Sequence, residues 1–342
     1  MKKLNIVLAT LAALGLAACG DNNSKSEQTA ASGAEKPQQT LTLNLAHNQN
    51  ETHPVHQAIA RFADEVAQKT SGRIQIKVFP NAQLGSETEC LEQLNSGVLP
   101  MTKVSAPGLA SFDDSYNTFG LPYLFKDTQD FYRVMDSKQM QDFFLSSADK
   151  GFVTLTYYTS GSRSFYTVKT PIRKPEDLKG LKIRVQNMKS QMDMVTALGG
   201  NPVAMSYGEV YTALSTGVID GTENNETALT IGKHGEVCKV YSMDQHAFIP
   251  DALVMSTKVW NTISQDDQKI ILDAARNSTA WQKTAWDKAT EEAIREAKEK
   301  LNVEFVTDVD KAAFQQATSG MVDQYSKEYP GVKKLVEMIK SI

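Results

Sequence analysis

The run from Leu181 to Asn225, LKIRVQNMKSQMDMVTALGGNPVAMSYGEVYTALSTGVIDGTENN, collects polar residues where its strands should end. In a twisted parallel sheet those ends open onto the crevice where small ligands bind. Leu181, Ile183 and Val185 point to one face of a strand and Lys182, Arg184 and Gln186 to the other, which places Arg184 on the polar face. A guanidinium offers a planar fork that matches both oxygens of a carboxylate, and in a closed cleft such a pair is desolvated and poorly screened. Periodicity alone is equally compatible with an anion anchor and with a surface salt bridge at Arg184.

Other reactive side chains are sparse. His47, His53 and His56 lie close together, as zinc ligands can. His53 precedes Pro54, however, and His56 should sit early in the following helix, so the three are expected to point apart and no metal is expected. His234 and His246 lack an obvious partner and read as structural histidines. Cys90 and Cys238 fit no zinc pattern and are expected as two separately buried thiols rather than a disulfide. A secreted hydrolase would need a nucleophile elbow, a paired carboxylate site or a metal motif, and none is visible. The chain is therefore expected not to be an enzyme and to need no cofactor.

The elements that must position Arg184 are legible from hydrophobic periodicity. Leu41, Leu43 and Leu45 alternate with polar residues, as do Ile74, Ile76 and Val78, and between them Val55, Ile59, Phe62 and Val66 recur at helical spacing. This is a strand, helix, strand unit whose right-handed crossover makes the strands parallel. Ser86 with Glu89, and Ser206 with Glu209, have the spacing of capping boxes, each opening a helix. Phe152 to Tyr158 reads as a strand, and Val218 to Gly221 should begin another. From Asp251 to Ser319 there is neither Gly nor Pro. Ser264 can cap a helix whose apolar residues run from Ile271 to Leu301 at mostly four-residue steps, predicting a rod of roughly 55 Å. A helix of that length should brace two lobes, and paired crossover units braced in this way suggest a ligand clamp.

The N-terminal segment reads separately. Lys2 and Lys3 precede an apolar stretch, Leu4 to Ala17, that is short for a membrane span and matches a secretory signal. It ends in Leu16, Ala17, Ala18, Cys19, the pattern of a bacterial lipoprotein signal, so residues 1–18 are expected to be removed and Cys19 acylated. Residues 19–40 are polar and small, a flexible tether reaching roughly 25 Å. About 300 residues remain, enough for two lobes. The net charge of the 342 residues is −4, with no basic stripe, so nucleic acid is not an expected partner and an anionic ligand would need local arginines.

From Leu41 onward the chain resembles the solute-binding subunits of TRAP (tripartite ATP-independent periplasmic) transporters. The resemblance rests on GRIQIKVFPNAQLGSE from Gly72, FGLPYLF from Phe119, GSRSFYT from Gly161, PEDLKGLKIRVQN from Pro175 and MSYGEVYTALSTGVIDGTENN from Met205. It implies an α/β fold of the periplasmic-binding-protein type II kind, a two-lobed clamp with a long helix spanning both lobes. Lobe I would comprise residues 41–161 and 250–289, and lobe II residues 162–249 and 290–342. It also implies a periplasmic protein, lipid-anchored through Cys19, that closes on a small organic acid and delivers it to a sodium-coupled membrane permease.

Carried over by position, the resemblance puts the carboxylate anchor on Arg184, with Asn187 just beyond it, a second ligand arginine on Arg163, an aromatic wall on Tyr207 and a hydrogen-bonding amide on Asn224. Asn48, Glu87 and Ser105 would face them from the other lobe. The asparagines can donate and accept, which suits sugar hydroxyls, and Glu87 would repel a second acid group. Asparagine is also a common turn residue, and Glu87 also complements a helix dipole. The resemblance is strongest to members that bind uronates and related six-carbon sugar acids, with sialic acid, diketogulonate and C4-dicarboxylates as alternatives. Glu226, Thr227 and Ala228 stand where those members often have a proline, and Leu99 and Pro100 where an acidic residue usually follows Gly97. These departures leave the far end of the pocket open.

Overall fold

The computed structural model describes residues 40–342. Cys19, the signal segment and the tether up to residue 39 lie outside the described residues. No described helix is long and apolar enough to cross a membrane.

Two mixed sheets organise the chain. The first takes β1 (Leu41–Ala46), β2 (Ile74–Phe79), β3 (Met101–Ser105), β4 (Phe152–Tyr158) and, much later, β10 (Asp251–Ser256), in the order β2-β1-β3-β10-β4. The second takes β5 (Arg163–Thr167), β6 (Lys182–Val185), β7 (Asn201–Ala204), β8 (Gly221–Asn224), β9 (Val240–Ala247) and β11 (Glu304–Val306), in the order β11-β9-β5-β8-β6-β7. β1 pairs in parallel with β2 and β3, and β6 with β7 and β8, as the crossover units require. β10 is antiparallel to both its neighbours because it returns from the second sheet, and β5 is likewise antiparallel to β8 and β9. Neither sheet is therefore purely parallel.

Local chemistry sets the helices. The helix Pro54–Lys69 starts with proline in its first turn, where the missing N–H costs nothing, and buries Val55, Ile59, Phe62 and Val66 against β1 and the long helix. Both expected capping boxes form, at Ser86 and at Ser206. β8 begins three residues later than the apolar run suggested. The N–H groups of Val218 and Ile219 still donate to the Ala213 carbonyl of the preceding helix, so both belong to its C-terminal turn.

The long helix is Gln265–Glu299, 35 residues, with the Ser264 side chain accepting from the Asp267 N–H. Ala274 and Ala275 pack into the core of the first sheet with Leu43 and Ile59, while Ala297 packs with Tyr166, Leu229 and Tyr241 of the second. The small side chains let the helix lie close to both. The C-terminal helix Pro330–Ser341 also serves both halves: Leu335 and Ile339 join Leu91, Val104 and Phe119, while Val332 and Val336 join Phe165, Ile183 and Phe314. The apolar faces of this helix are thus split between two cores.

The chain passes between sheets after β4, after β9 and along the long helix. Gln282 holds the first crossing from both sides, accepting from the Thr159 N–H at 3.0 Å and donating to its carbonyl at 2.8 Å. Ser160 Oγ ties that crossing to the second by donating to the Ile249 carbonyl at 2.6 Å. Gly161 sits at φ +63°, where a Cβ would stand 2.9 Å from the Trp286 indole nitrogen.

Candidate functional site

Between the two sheets, at the ends of β1, β3, β5, β6 and β8, lies a narrow polar cavity of about 30 Å³. Arg184 reaches it from β6. The residue is 3% exposed, and its Nε and Nη2 both donate to the Met205 carbonyl, at 3.0 and 2.7 Å. No carboxylate among the described residues pairs with it. Burial pushes its guanidinium down, partly countered by Glu223, and Arg163 adds to the lowering. Because an arginine does not give up its proton, this is a buried cation with its Nη1 edge unspent.

Arg163, from β5, stands differently. It grips Glu223 of β8 through Nε and Nη2, the latter at 2.8 Å, donates again to the Glu223 carbonyl at 2.9 Å, and sends Nη1 to Asn224 Oδ1 at 2.7 Å. Four of its five N–H groups are committed, so it serves the cavity chiefly by fixing Glu223 and Asn224. Glu223 is completely buried and held down to about 2, burial opposing and Arg163 and His246 prevailing. His246, far from lacking a partner, bonds Asp244 at 2.7 Å and approaches Glu223 at 3.4 Å, and these carboxylates raise it to about 9 against burial. Glu223 and Asp244 thus balance Arg163 and protonated His246, leaving Arg184 as the surplus positive charge of this wall.

The wall from the first sheet carries the opposite surplus. Lys103, in the middle of β3 and 1% exposed, donates to Asn48 at 2.9 Å, Glu87 at 3.1 Å and Asp251 at 3.2 Å. Glu87 also accepts from the Ser105 N–H at 3.1 Å while opening its helix, so its pocket and helix-dipole roles coexist. Two bonds join the walls across the cleft: Gln186 Nε2 donates to Ser105 Oγ at 2.6 Å, and Asn50 Nδ2 to the Ile231 carbonyl at 3.2 Å.

Of the residues expected at the site, Arg184, Arg163, Asn224, Tyr207, Asn48, Glu87 and Ser105 line this cavity. Asn187 does not. It is exposed and faces the adjoining outer groove, because consecutive strand residues alternate faces and Gln186 is the neighbour that shares the side of Arg184. Gln186 Oε1 is buried and without a hydrogen-bond partner. Lys103, Asp251, Glu223 and Gln186 escaped the sequence reading. The available signal was a charge inside a short buried strand, which is rare unless paired.

The histidines depart from expectation. His47 and His56 meet, Nε2 to Nδ1 at 3.0 Å, because β1 ends against the first turns of the helix Pro54–Lys69. His53 instead caps that helix, accepting from the Val55 N–H at 3.2 Å, lines the cavity and lies tilted against Trp286, with ring centroids 5.7 Å apart. His234 bonds the Tyr166 hydroxyl at 2.7 Å. Among the described residues no group of three or more His, Cys, Asp or Glu is placed to hold a metal. Cys90 and Cys238 are buried, free thiols in separate clusters.

Residues 45–328 match the DctP family model, described as bacterial extracellular solute-binding protein, family 7. A relative from Salmonella typhimurium, the uncharacterized protein YiiZ, is 43% identical over 282 residues, covering 82% of this chain and 86% of its own. A TRAP periplasmic solute-binding protein from Anaerococcus prevotii, solved with bound D-glucuronate, superposes with TM-score 0.85 at 33% identity, over 88% of this chain and 98% of that one. A second, from Xanthobacter autotrophicus with bound β-D-galacturonate, gives TM-score 0.83 at 36% identity, over 87% and 99%.

Proposed function

Since the chain belongs to the DctP family of bacterial extracellular solute-binding proteins and is a TRAP solute-binding protein, we propose that its own ligand is a six-carbon sugar acid: glucuronate, galacturonate or gulonate. The observation that carries this reading is the buried, unneutralised fork of Arg184 facing a wall of hydrogen-bonding groups with no second free cation among the described residues. The acid's carboxylate docks end-on at Arg184, its hydroxyls meet Asn48, Asn224, Gln186 and Glu87, and Tyr207 packs along the carbon skeleton. Charge-assisted bonds of the Arg184 kind contribute about 1.5–3 kcal/mol each. Solved relatives that hold uronates, with the same two-sheet frame at 33% and 36% identity, support the choice. The closed lobes then present the acid to a sodium-coupled membrane permease, and no step alters it covalently. Acylation of Cys19 would tether the protein to a membrane; Cys19→Ser should then move it to the soluble fraction, and unchanged membrane association would refute the anchor.

A thermal-shift panel decides the ligand. A uronate at about 100 times its Kd adds about 2.7 kcal/mol to folded-state stability. The melt should therefore rise by several degrees with uronates and not with succinate or malate. A shift with the diacids alone would reject the sugar-acid reading.

A further inference from the structure

The three donors of the Lys103 ammonium are all spent, on Asn48, Glu87 and Asp251. Lys103 therefore has nothing left for a ligand, and what it does is hold two carboxylates at the cavity wall. Asp251 opens β10 immediately after the second chain crossing, and only its Oδ1 is bonded to Lys103; Oδ2 takes no hydrogen bond from the described residues while Asp251 lines the cavity. Glu87 lines the same wall, its side chain 19% exposed. Burial pushes the Asp251 carboxyl up, with Lys103 opposing and Glu87 reinforcing the shift. A further anion brought beside it would push in the same direction as Glu87.

We propose that Lys103, Glu87 and Asp251 form the specificity element of the cleft, an acceptor array that reads hydroxyl donors and rejects a second carboxylate. One ammonium against two carboxylates leaves the array anionic, opposite the cationic surplus at Arg184. A ligand bridging the walls is thereby polarised, with acid at one end and hydroxyls at the other. Glu87 and Asp251 accept from the ligand, and Lys103 is a positioning residue that keeps both carboxylates aimed. Discrimination comes from the repulsive half of the arrangement as much as from the attractive half. The proposal rests on the sugar-acid reading and narrows it to monocarboxylates: hexuronates are accepted, and the corresponding aldarates, which carry a carboxylate at both ends, are refused.

Calorimetry with glucuronate, galacturonate, glucarate and galactarate tests this on the wild type, Asp251→Asn, Glu87→Gln and the double variant. Each substitution keeps shape and removes one negative charge. The preference for uronate over aldarate should fall by at least roughly tenfold in each single variant and further in the double one, where Lys103 becomes a free cation. A merely structural role would weaken both ligand classes alike and leave the ratio unmoved. A ratio within about twofold of wild type, in variants that still bind uronate, would overturn the array. Glu87→Gln, the less buried change, carries the decision where Asp251→Asn fails to fold. A wild type that binds neither uronate and no gulonate sinks the sugar-acid reading itself, a result distinguishable from an unmoved ratio.

Discussion

Arg184 and Arg163 are both buried arginines at the cavity, yet their surroundings give them different work. Arg163 is paired in full with Glu223, and removing one partner of such a buried pair typically costs about 3–5 kcal/mol because the other charge is stranded. Arg184 has only the Met205 carbonyl, so its removal strands no charge. Arg184→Ala should therefore abolish the uronate-induced melting shift while leaving the ligand-free melt within about 1 kcal/mol of wild type. Arg184→Lys should lose most of the shift as well, since an ammonium cannot reproduce the fork. Retained uronate binding in the alanine variant would remove Arg184 from its assigned role. The residue proposed to bind the ligand contributes little to the fold, and its neighbour does the reverse.

At the scale of elements, the long helix and the two short crossings form one joint. Gln282 satisfies a buried N–H and carbonyl of Thr159, and Trp286, one turn on, fills the space beside Gly161. An added methyl at Gly161 meets two obstacles: a left-handed backbone conformation, costing about 1–2 kcal/mol for an L-residue, and an indole that is itself buried and cannot retreat. Gly161→Ala should lower the melt by several degrees; an unchanged melt would mean that the joint yields more than its packing indicates. The capping boxes, the strand alternation and the long glycine-free helix were readable from sequence because each depends on residues within a few positions of one another. The start of β8 was misread for the same reason inverted: Val218 and Ile219 look like a strand, but the helix before them still claims their N–H groups.

Across the whole molecule, buried histidines set the pH response. Burial holds His47 at about 2 and His53 and His234 at about 3, all below their unfolded value, so the stability they contribute is present above about 6.5 and lost as pH falls from there. His246 is raised to about 9, so its contribution is present below about 6.5 and lost as pH rises through 9. Burial lowers His56 as well, so four histidines act on the acid side and one on the alkaline side, each with a limiting slope of about 1.4 kcal/mol per pH unit. Urea unfolding between pH 4 and 10 should therefore show maximal stability near neutrality with the steeper fall toward acid. His246→Gln should flatten the alkaline limb, and an alkaline limb unchanged in that variant would show that His246 is not its source.

The sequence by itself determined the first strand, helix, strand unit, both capping boxes, the bracing helix, the parallel pairing inside each crossover unit and the placing of Arg184 on a polar strand face. All follow from local periodicity and stereochemistry. Only the tertiary structure decided which charges are spent. Arg163 and Glu223 are 60 residues apart and Lys103 and Asp251 are 148 apart, and nothing in the spacing of either pair announces that they meet. Burial turned Glu223 and Lys103 from unremarked strand residues into the balance of the cavity, and the strand's two-residue period replaced Asn187 with Gln186. The chain marks the arginine proposed to take a carboxylate; which carboxylate it would be depends on charges that only the fold brings within reach of one another.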